Sequence, residues 1–266
     1  MATCPDVAPE CATTDIPPHR HVVRLNLNHY ELGASYGLRE RMQFSLRLPY
    51  DIKDQHVHYT TLAGAPYTPP YGDIHHRTET LTGVSDPSMS IEWSPQSSWL
   101  LGFGTTLPFG HIVPDPIVLG REGKKHEHLQ FGSGTFEPRL SAQWVHRSST
   151  LSWIASGEAK LSLYENREGY RGPTTLIWSA GPSIRAGRFS IDPRLDGQYQ
   201  TLGRWSGEVD EGSGFNAGGI RLGISLPPVG SLLIAPGVYR ELWSHGQDGQ
   251  TFHQGTTWSL SLTRTF

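Results

Sequence analysis

Eleven ionisable residues sit on the polar side of stretches that alternate apolar and polar residues: Arg47, Glu92, Glu137, Arg139, Glu158, Lys160, Arg185, Asp192, Arg194, Asp196 and Arg221. Both signs are present, and the charges are spread over many stretches. The strand patterns offer no Ser–His or Asp–His pair that agrees in face and height, so no nucleophile–base or acid–base constellation is expected, and neither catalytic residues nor a cofactor are expected. Charges distributed in this way line a polar interior. They either edge a narrow aqueous pore and set its selectivity, or pair across the lumen and plug it.

Histidine is the second candidate chemistry. Of thirteen, eleven lie on the side of the long breaks, at positions 19, 21, 56, 58, 75, 76, 111, 126, 128, 245 and 253. His56-Val-His58, His75-His76 and His126-Glu-His128 space imidazoles as zinc, copper or nickel ligands are spaced. No closed four-ligand motif appears, so polar loop histidines without metal are the plainer expectation. Cys4 and Cys11 are the only cysteines, and both lie in a Pro-rich leader over residues 1–20. Without a Cys-x-x-Cys spacing they read as a small disulfide loop, suited to an oxidising space. Gly102-Phe-Gly104 sits inside a strand pattern with no helix after it, so it is no dinucleotide fingerprint.

The elements that must position these residues have a period of two. In 189–201, Phe189, Ile191, Pro193, Leu195 and Tyr199 fall on one face, with Asp192, Arg194, Asp196, Gln198 and Gln200 on the other. The same alternation predicts eleven strands, over 22–36, 42–52, 84–93, 99–109, 136–144, 150–163, 174–185, 189–201, 215–226, 231–243 and 252–266. The breaks alternate in length. Tight turns fall near 37–41, 94–98, 147–149, 186–188 and 227–230, and longer loops over 53–83, 110–134, 164–173, 203–214 and 244–251. Strands this long suit a tilted bilayer crossing, and an apolar face repeated along so many of them exceeds what a small lumen can fill. The expected fold is all-β: a transmembrane antiparallel up-and-down β-barrel of about 12 strands over residues 21–266, with 11 read directly.

No apolar run is long and unbroken enough for a membrane helix, and residues 1–20 lack the apolar core of a signal peptide, so an exported chain is expected in processed form. A net charge of -3 leaves no basic footprint for nucleic acid. The partners expected are the lipid bilayer, the barrel-assembly machinery and, in an alternative reading, a surface or periplasmic protein.

In the last strand Trp258, Leu260, Leu262 and Phe266 take alternate positions, which resembles the C-terminal assembly signal of bacterial outer-membrane proteins; Arg264 stands where that pattern has an apolar residue. Three stretches, Ser35–Tyr50, Gly102–Gly110 and Leu129–Pro138, together resemble the outer-membrane family labelled for the meta-pathway of phenol degradation. The resemblance runs from about Leu32 onward. It implies a transport-type barrel in the bacterial outer membrane with its long loops outside, passing small solutes, among them small aromatic or hydrophobic compounds. The alternatives are a docking barrel that holds a partner at the cell surface and a His-rich metal-binding surface barrel.

Overall fold

The computed structural model describes residues 17–70, 77–127, 129–246 and 253–265. Cys4, Cys11, His75, His76, His128 and Phe266 lie outside the described residues. The strands are β1 (His19–Arg39), β2 (Met42–Thr61), β3 (Pro66–Tyr67), β4 (Glu79–Val84), β5 (Ser88–Trp93), β6 (Trp99–Thr106), β7 (Pro138–His146), β8 (Leu151–Lys160), β9 (Tyr170–Arg171), β10 (Thr175–Ala186), β11 (Phe189–Gln200), β12 (Gly203–Trp205), β13 (Glu208–Asp210), β14 (Phe215–Ser225), β15 (Leu232–Gly246) and β16 (Thr257–Arg264). One short helix, α1 (Pro116–Arg121), interrupts them.

Eleven strands form a continuous antiparallel path, β1-β2-β5-β6-β7-β8-β10-β11-β14-β15-β16, in which each pairs with its neighbours in the chain. The sheet curls, and the fold is a transmembrane antiparallel barrel type. Register carries the alternation from strand to strand, because residues directly opposite one another share a face. Ser35 faces Ser45, Ser45 faces Ser90 and Ser90 faces Gly104, while Tyr36, Phe44, Ile91 and Phe103 match on the other side.

The two faces differ in exposure. Along β5 and β6 the polar-face residues are half-buried or buried and most apolar ones are exposed. Curling crowds the polar face, which is therefore the concave one. The apolar face is open, with Phe103 at 65% and Trp258 at 79% exposure. A water-soluble sheet would cover such a face, whereas a barrel in lipid presents it. Aromatic rings sit near both ends of this outer face. Tyr36, Trp93, Trp99, Trp144 and Phe189 lie by the short turns, with Tyr30, Trp178, Tyr199, Trp243 and Trp258 toward the long loops. In the second group Trp178 lies over Gly197 and Trp243 over Gly218, and a Cβ at either glycine would enter the indole.

Several boundaries differ from the sequence reading. The loop expected from Lys53 is strand as far as Thr61, because β2 continues upward paired with β1 and β4. The single strand expected over 84–93 is broken at Ser85–Pro87. There Asp86 turns aside to accept the backbone N–H groups of Gly110 and Ser133, at 2.8 and 2.7 Å. The loops after β6, β8 and β11 fold into a cap. Within it β9, β12 and β13 form a separate small sheet, and Asp115 caps α1 by accepting from Ile117 and Val118. Val113, Phe131 and Trp205 in these loops are three of the four hydrophobic core residues among those described.

β1 and β16 are the two edges: among the described residues β1 pairs with β2 and β16 with β15, and nearly all their positions are exposed on both faces. Both run from the long-loop side to the short-turn side. Antiparallel closure between two strands of the same direction takes one further strand running the other way.

If the apolar face meets hydrocarbon, Leu260→Lys should destabilise the folded protein in bilayers by about 2–4 kcal/mol near the midplane. Ser259→Lys, on the opposite face, should change it by far less. Urea titration into liposomes reads both, and equal effects would count against the assignment of faces.

Candidate functional site

The cross-strand register puts ten of the eleven charges on the concave polar face, with Arg47 opposite Ser88, Glu92 opposite Gly102, Arg139 opposite Lys160, Ser141 opposite Glu158 and Arg194 opposite Arg221. Arg185 lies lowest, opposite Ser190 beside the short turn after β10. Glu137 precedes β7 at the upper end, under the cap.

These charges are largely compensated on the wall itself. Arg139 grips the Glu158 carboxylate with Nε at 3.0 Å and Nη2 at 2.5 Å. Lys160 Nζ lies 2.9 Å from Glu137, and Arg221 Nε lies 2.6 Å from Asp196. The last contact is an ion pair without hydrogen-bond alignment, which leaves both Asp196 oxygens without a hydrogen bond. Arg194 stands 3.6 Å from Asp192 and also donates to the carbonyl oxygens of Gly181 and Ile154, so its guanidinium reaches back across two strands. Arg47 is 3.8 Å from Glu31, a residue the sequence reading did not single out.

Glu92 is held differently. Gln43, Ser45 and Ser90 donate to its carboxylate, giving it an amide and two hydroxyls as partners. Further up the same wall Asp51 accepts from Ser85 and contacts His29 Nδ1 at 2.6 Å, an Asp–His pair that was not expected, because it depends on the β1–β2 register that sets the two residues opposite each other. On the β1–β2–β5 side of the concave face Glu92 and Asp51 are supported by neutral or histidine groups and, among the described residues, only Glu31 has an arginine beside it, while the β7–β14 side carries Arg and Lys pairs. Glu31, Gln43 and Asp51 lie inside the strands expected over 22–36 and 42–52 and share the parity of Ser35 and Arg47, so that parity was the signal that could have found them.

The cap hangs on polar anchors. The Arg77 side chain, 9% exposed, bridges Glu79 at 2.8 Å and Glu127 at 2.7 Å and donates to the His126 carbonyl. Lys53 donates to Gln130 O and lies over the Phe131 ring. Asn166 donates to Ser133 O at 2.8 Å. Ser206 and Gly207 take positive φ in the β12–β13 hairpin, the two-residue turn of a tight β-hairpin. That turn aims Ser206 Oγ at Asp115, 2.9 Å away, and so ties the small sheet to the start of α1. Tyr170 packs on Trp205 in this sheet, and burial, then the carboxylates of Asp210 and Glu137, push its phenol above the usual range. Burial also raises the Asp210 carboxyl, partly offset by the Gly212 N–H.

Of the histidines spaced as metal ligands, His56, His58 and His126 are among the described residues. His56 and His58 belong to β2 rather than to a loop, and His56 pairs with Asp54 at 3.0 Å. His126 is buried in the cap with Nδ1 against Lys124 O. Among the described residues no group of three or more His, Cys, Asp or Glu side chains is placed to hold a metal. Trp258, Leu260 and Leu262 share the outer face of β16, opposite Val238, Pro236 and Ile234. Arg264 lies at the lower end with Nε 3.3 Å from Ser231 Oγ.

This architecture is similar to a solved structure, that of an outer membrane channel from Pseudomonas putida F1. The TM-score is 0.55 at 13% sequence identity, over 90% of this chain and 82% of that one. The likeness establishes the fold. No family model matches the chain, and no curated protein is similar to it.

Glu137 is 1% exposed, and its Oε1 has no hydrogen-bond partner. Lys160→Met should therefore strand a buried carboxylate and cost about 3 kcal/mol or more, and adding Glu137→Gln should recover most of it. Chemical denaturation of the detergent-folded protein measures both. Additive losses in the double variant would mean the two groups do not act as a pair.

The raised Asp210 carboxyl has a sign. Folding binds its proton more tightly than the unfolded chain does, so cap stability is complete below the ordinary carboxylate pKa near 3.9. It falls as pH rises through the higher folded value. Asp210→Asn should remove that loss and slow amide exchange in β12 and β13 at neutral pH. Identical exchange in the two proteins at pH 7 would refute this.

Proposed function

We propose that the protein is a channel of the bacterial outer membrane that passes small solutes along its concave face, with the long loops outside the cell. The observation that carries this reading is the gathering of ten of the eleven predicted charges, with Ser, Gly and Gln between them, on one face of a curled sheet whose other face is apolar. A wall of paired charges and hydroxyls solvates a polar solute and repels neither sign strongly. The capped end narrows entry on the β6–β14 side, where the folded loops carry a recess of about 430 Å³ between Phe109, His111 and Arg167. Selectivity in this reading falls to Glu92 and Asp51, the carboxylates with no Arg or Lys partner among the described residues on that side of the wall. Assembly by the barrel machinery through the β16 outer face fits the alternate Trp258, Leu260 and Leu262. Small aromatic compounds as solutes rest on the family resemblance alone.

A docking barrel is the second reading, favoured by one observation: the long loops after β6, β8 and β11 are folded together by anchors such as Asp86 and Asp115, and so present a fixed surface. A stoichiometric co-purifying partner with no conductance would select it.

Planar-bilayer recording of the purified folded protein tests the channel. Discrete conductance steps are expected, with a preference for cations. Glu92→Gln should reduce that preference by up to about fivefold, the weight of roughly 1 kcal/mol for a unit charge at 4 Å in water. Absence of conductance with the loops intact would sink the proposal.

A further inference from the structure

We propose that His19 and His21 chelate a transition-metal ion, copper(II) or nickel(II), at the loop-side end of β1. Two residues apart on a strand, they project to the same face. Their Nε2 atoms lie 3.0 Å apart, with the rings stacked at a centroid distance of 4.9 Å. His19 is 7% exposed, and its Nδ1 lies 2.9 Å from the carbonyl oxygen of Pro17. A carbonyl oxygen only accepts, so His19 Nδ1 carries the ring proton and the lone pair of the neutral ring sits on Nε2, facing His21. Metal-binding histidines are commonly fixed in this way, the distal nitrogen donating to a backbone carbonyl while the other ligates.

The rings are set by three strand segments. His21 lies opposite Tyr59, which lies opposite Tyr67. Tyr59 meets His21 edge-on at 4.9 Å, and Tyr67 packs on His19 at 4.7 Å. Neither imidazole has to be recruited from a mobile loop, which lowers the ordering cost of binding.

Imidazole nitrogen suits copper and nickel, and copper(II) ranks highest in affinity among the divalent first-row ions. Adjacent ligands on a square-planar or octahedral ion at metal–nitrogen distances of about 2.0–2.1 Å are about 2.9 Å apart, and on a tetrahedral ion about 3.3 Å. The ring–ring hydrogen bond already holds the two nitrogens at 3.0 Å, so little movement is needed to reach the former, the geometry of copper(II) and nickel(II). On binding, the hydrogen bond between the rings is exchanged for two metal–nitrogen bonds; His21 moves its proton from Nε2 to Nδ1, and both rings stay neutral. Remaining positions on the ion go to water. This site is separate from the channel reading and from His56 and His58, which share the two-residue spacing on β2 but face the other way.

Copper(II) titration of the folded full-length protein in detergent, followed by electron paramagnetic resonance, tests the proposal. One equivalent should bind with an axial spectrum, and pulsed measurements should report two equatorial imidazoles. His19→Ala and His21→Ala should each weaken binding at least about tenfold, by comparison with the effect of losing even an outer-shell partner. The double variant His56→Ala with His58→Ala should leave binding unchanged. Copper affinity undiminished in the His19→Ala, His21→Ala double variant would overturn the proposal. So would affinity lost with His56 and His58 instead, or fewer than two equatorial imidazoles in the parent protein. The last readout stands alone if an alanine variant does not fold.

Discussion

Hydrocarbon offers no hydrogen-bond partner to a peptide group, and that constraint shapes everything else in this chain. Each crossing strand must find its N–H and C=O partners in neighbouring strands, because an unpaired backbone group in lipid costs several kcal/mol. The chain meets the demand with the simplest topology, each strand antiparallel to the one before it along an eleven-strand path. Two consequences follow from that order. Side chains are free to divide cleanly into an apolar outer face and a polar concave one, since no hydrogen bond depends on them. The edges at β1 and β16 also become the places where the demand is least met, and their shared direction sets what kind of strand completes the circuit.

Above the barrel wall the chemistry of cohesion changes. The loops after β6, β8 and β11 contain Val113, Phe131 and Trp205, too few buried apolar groups to make a sizeable core. Side-chain acceptors do the joining instead. Asp86 collects two backbone N–H groups from the next loop, Asp115 caps α1 and accepts from Ser206, and Asn166 receives the N–H groups of Glu168 and Tyr170. Each anchor satisfies backbone groups that a loop would otherwise leave to water. The result is a fixed cap seated over one side of the barrel mouth rather than a set of free loops.

On the concave face, charge and burial are balanced locally. The cations and carboxylates of β7, β8, β11 and β14 are mostly neighbours within the wall, so each desolvated charge has an opposite one within a few ångströms. A charge held this way contributes polarity without a strong field. Where hydroxyls and an amide replace cations around Glu92, the field is less compensated, and any ionic preference of a conducting pathway arises there.

The sequence by itself determined the strands, their faces and the alternation of short turns with long loops. These depend on a period of two and on Gly, Pro and Ser breaks that are written residue by residue. Parity within one strand also suffices to give each charge a face. Pairing partners needed the tertiary structure. Arg139 with Glu158, or Arg194 with carbonyls across two strands, follow from register, which no single strand encodes. The cap was illegible for a related reason. Asp115-Pro116 is a good helix start, but Asp86 breaking a strand to reach Gly110 and Ser133 is a contact between distant loops. The histidine pair shows both halves at once. Its two-residue spacing was in the chain from the outset, yet the 3.0 Å separation and the carbonyl that fixes one tautomer exist only once β1, β2 and β3 pack together.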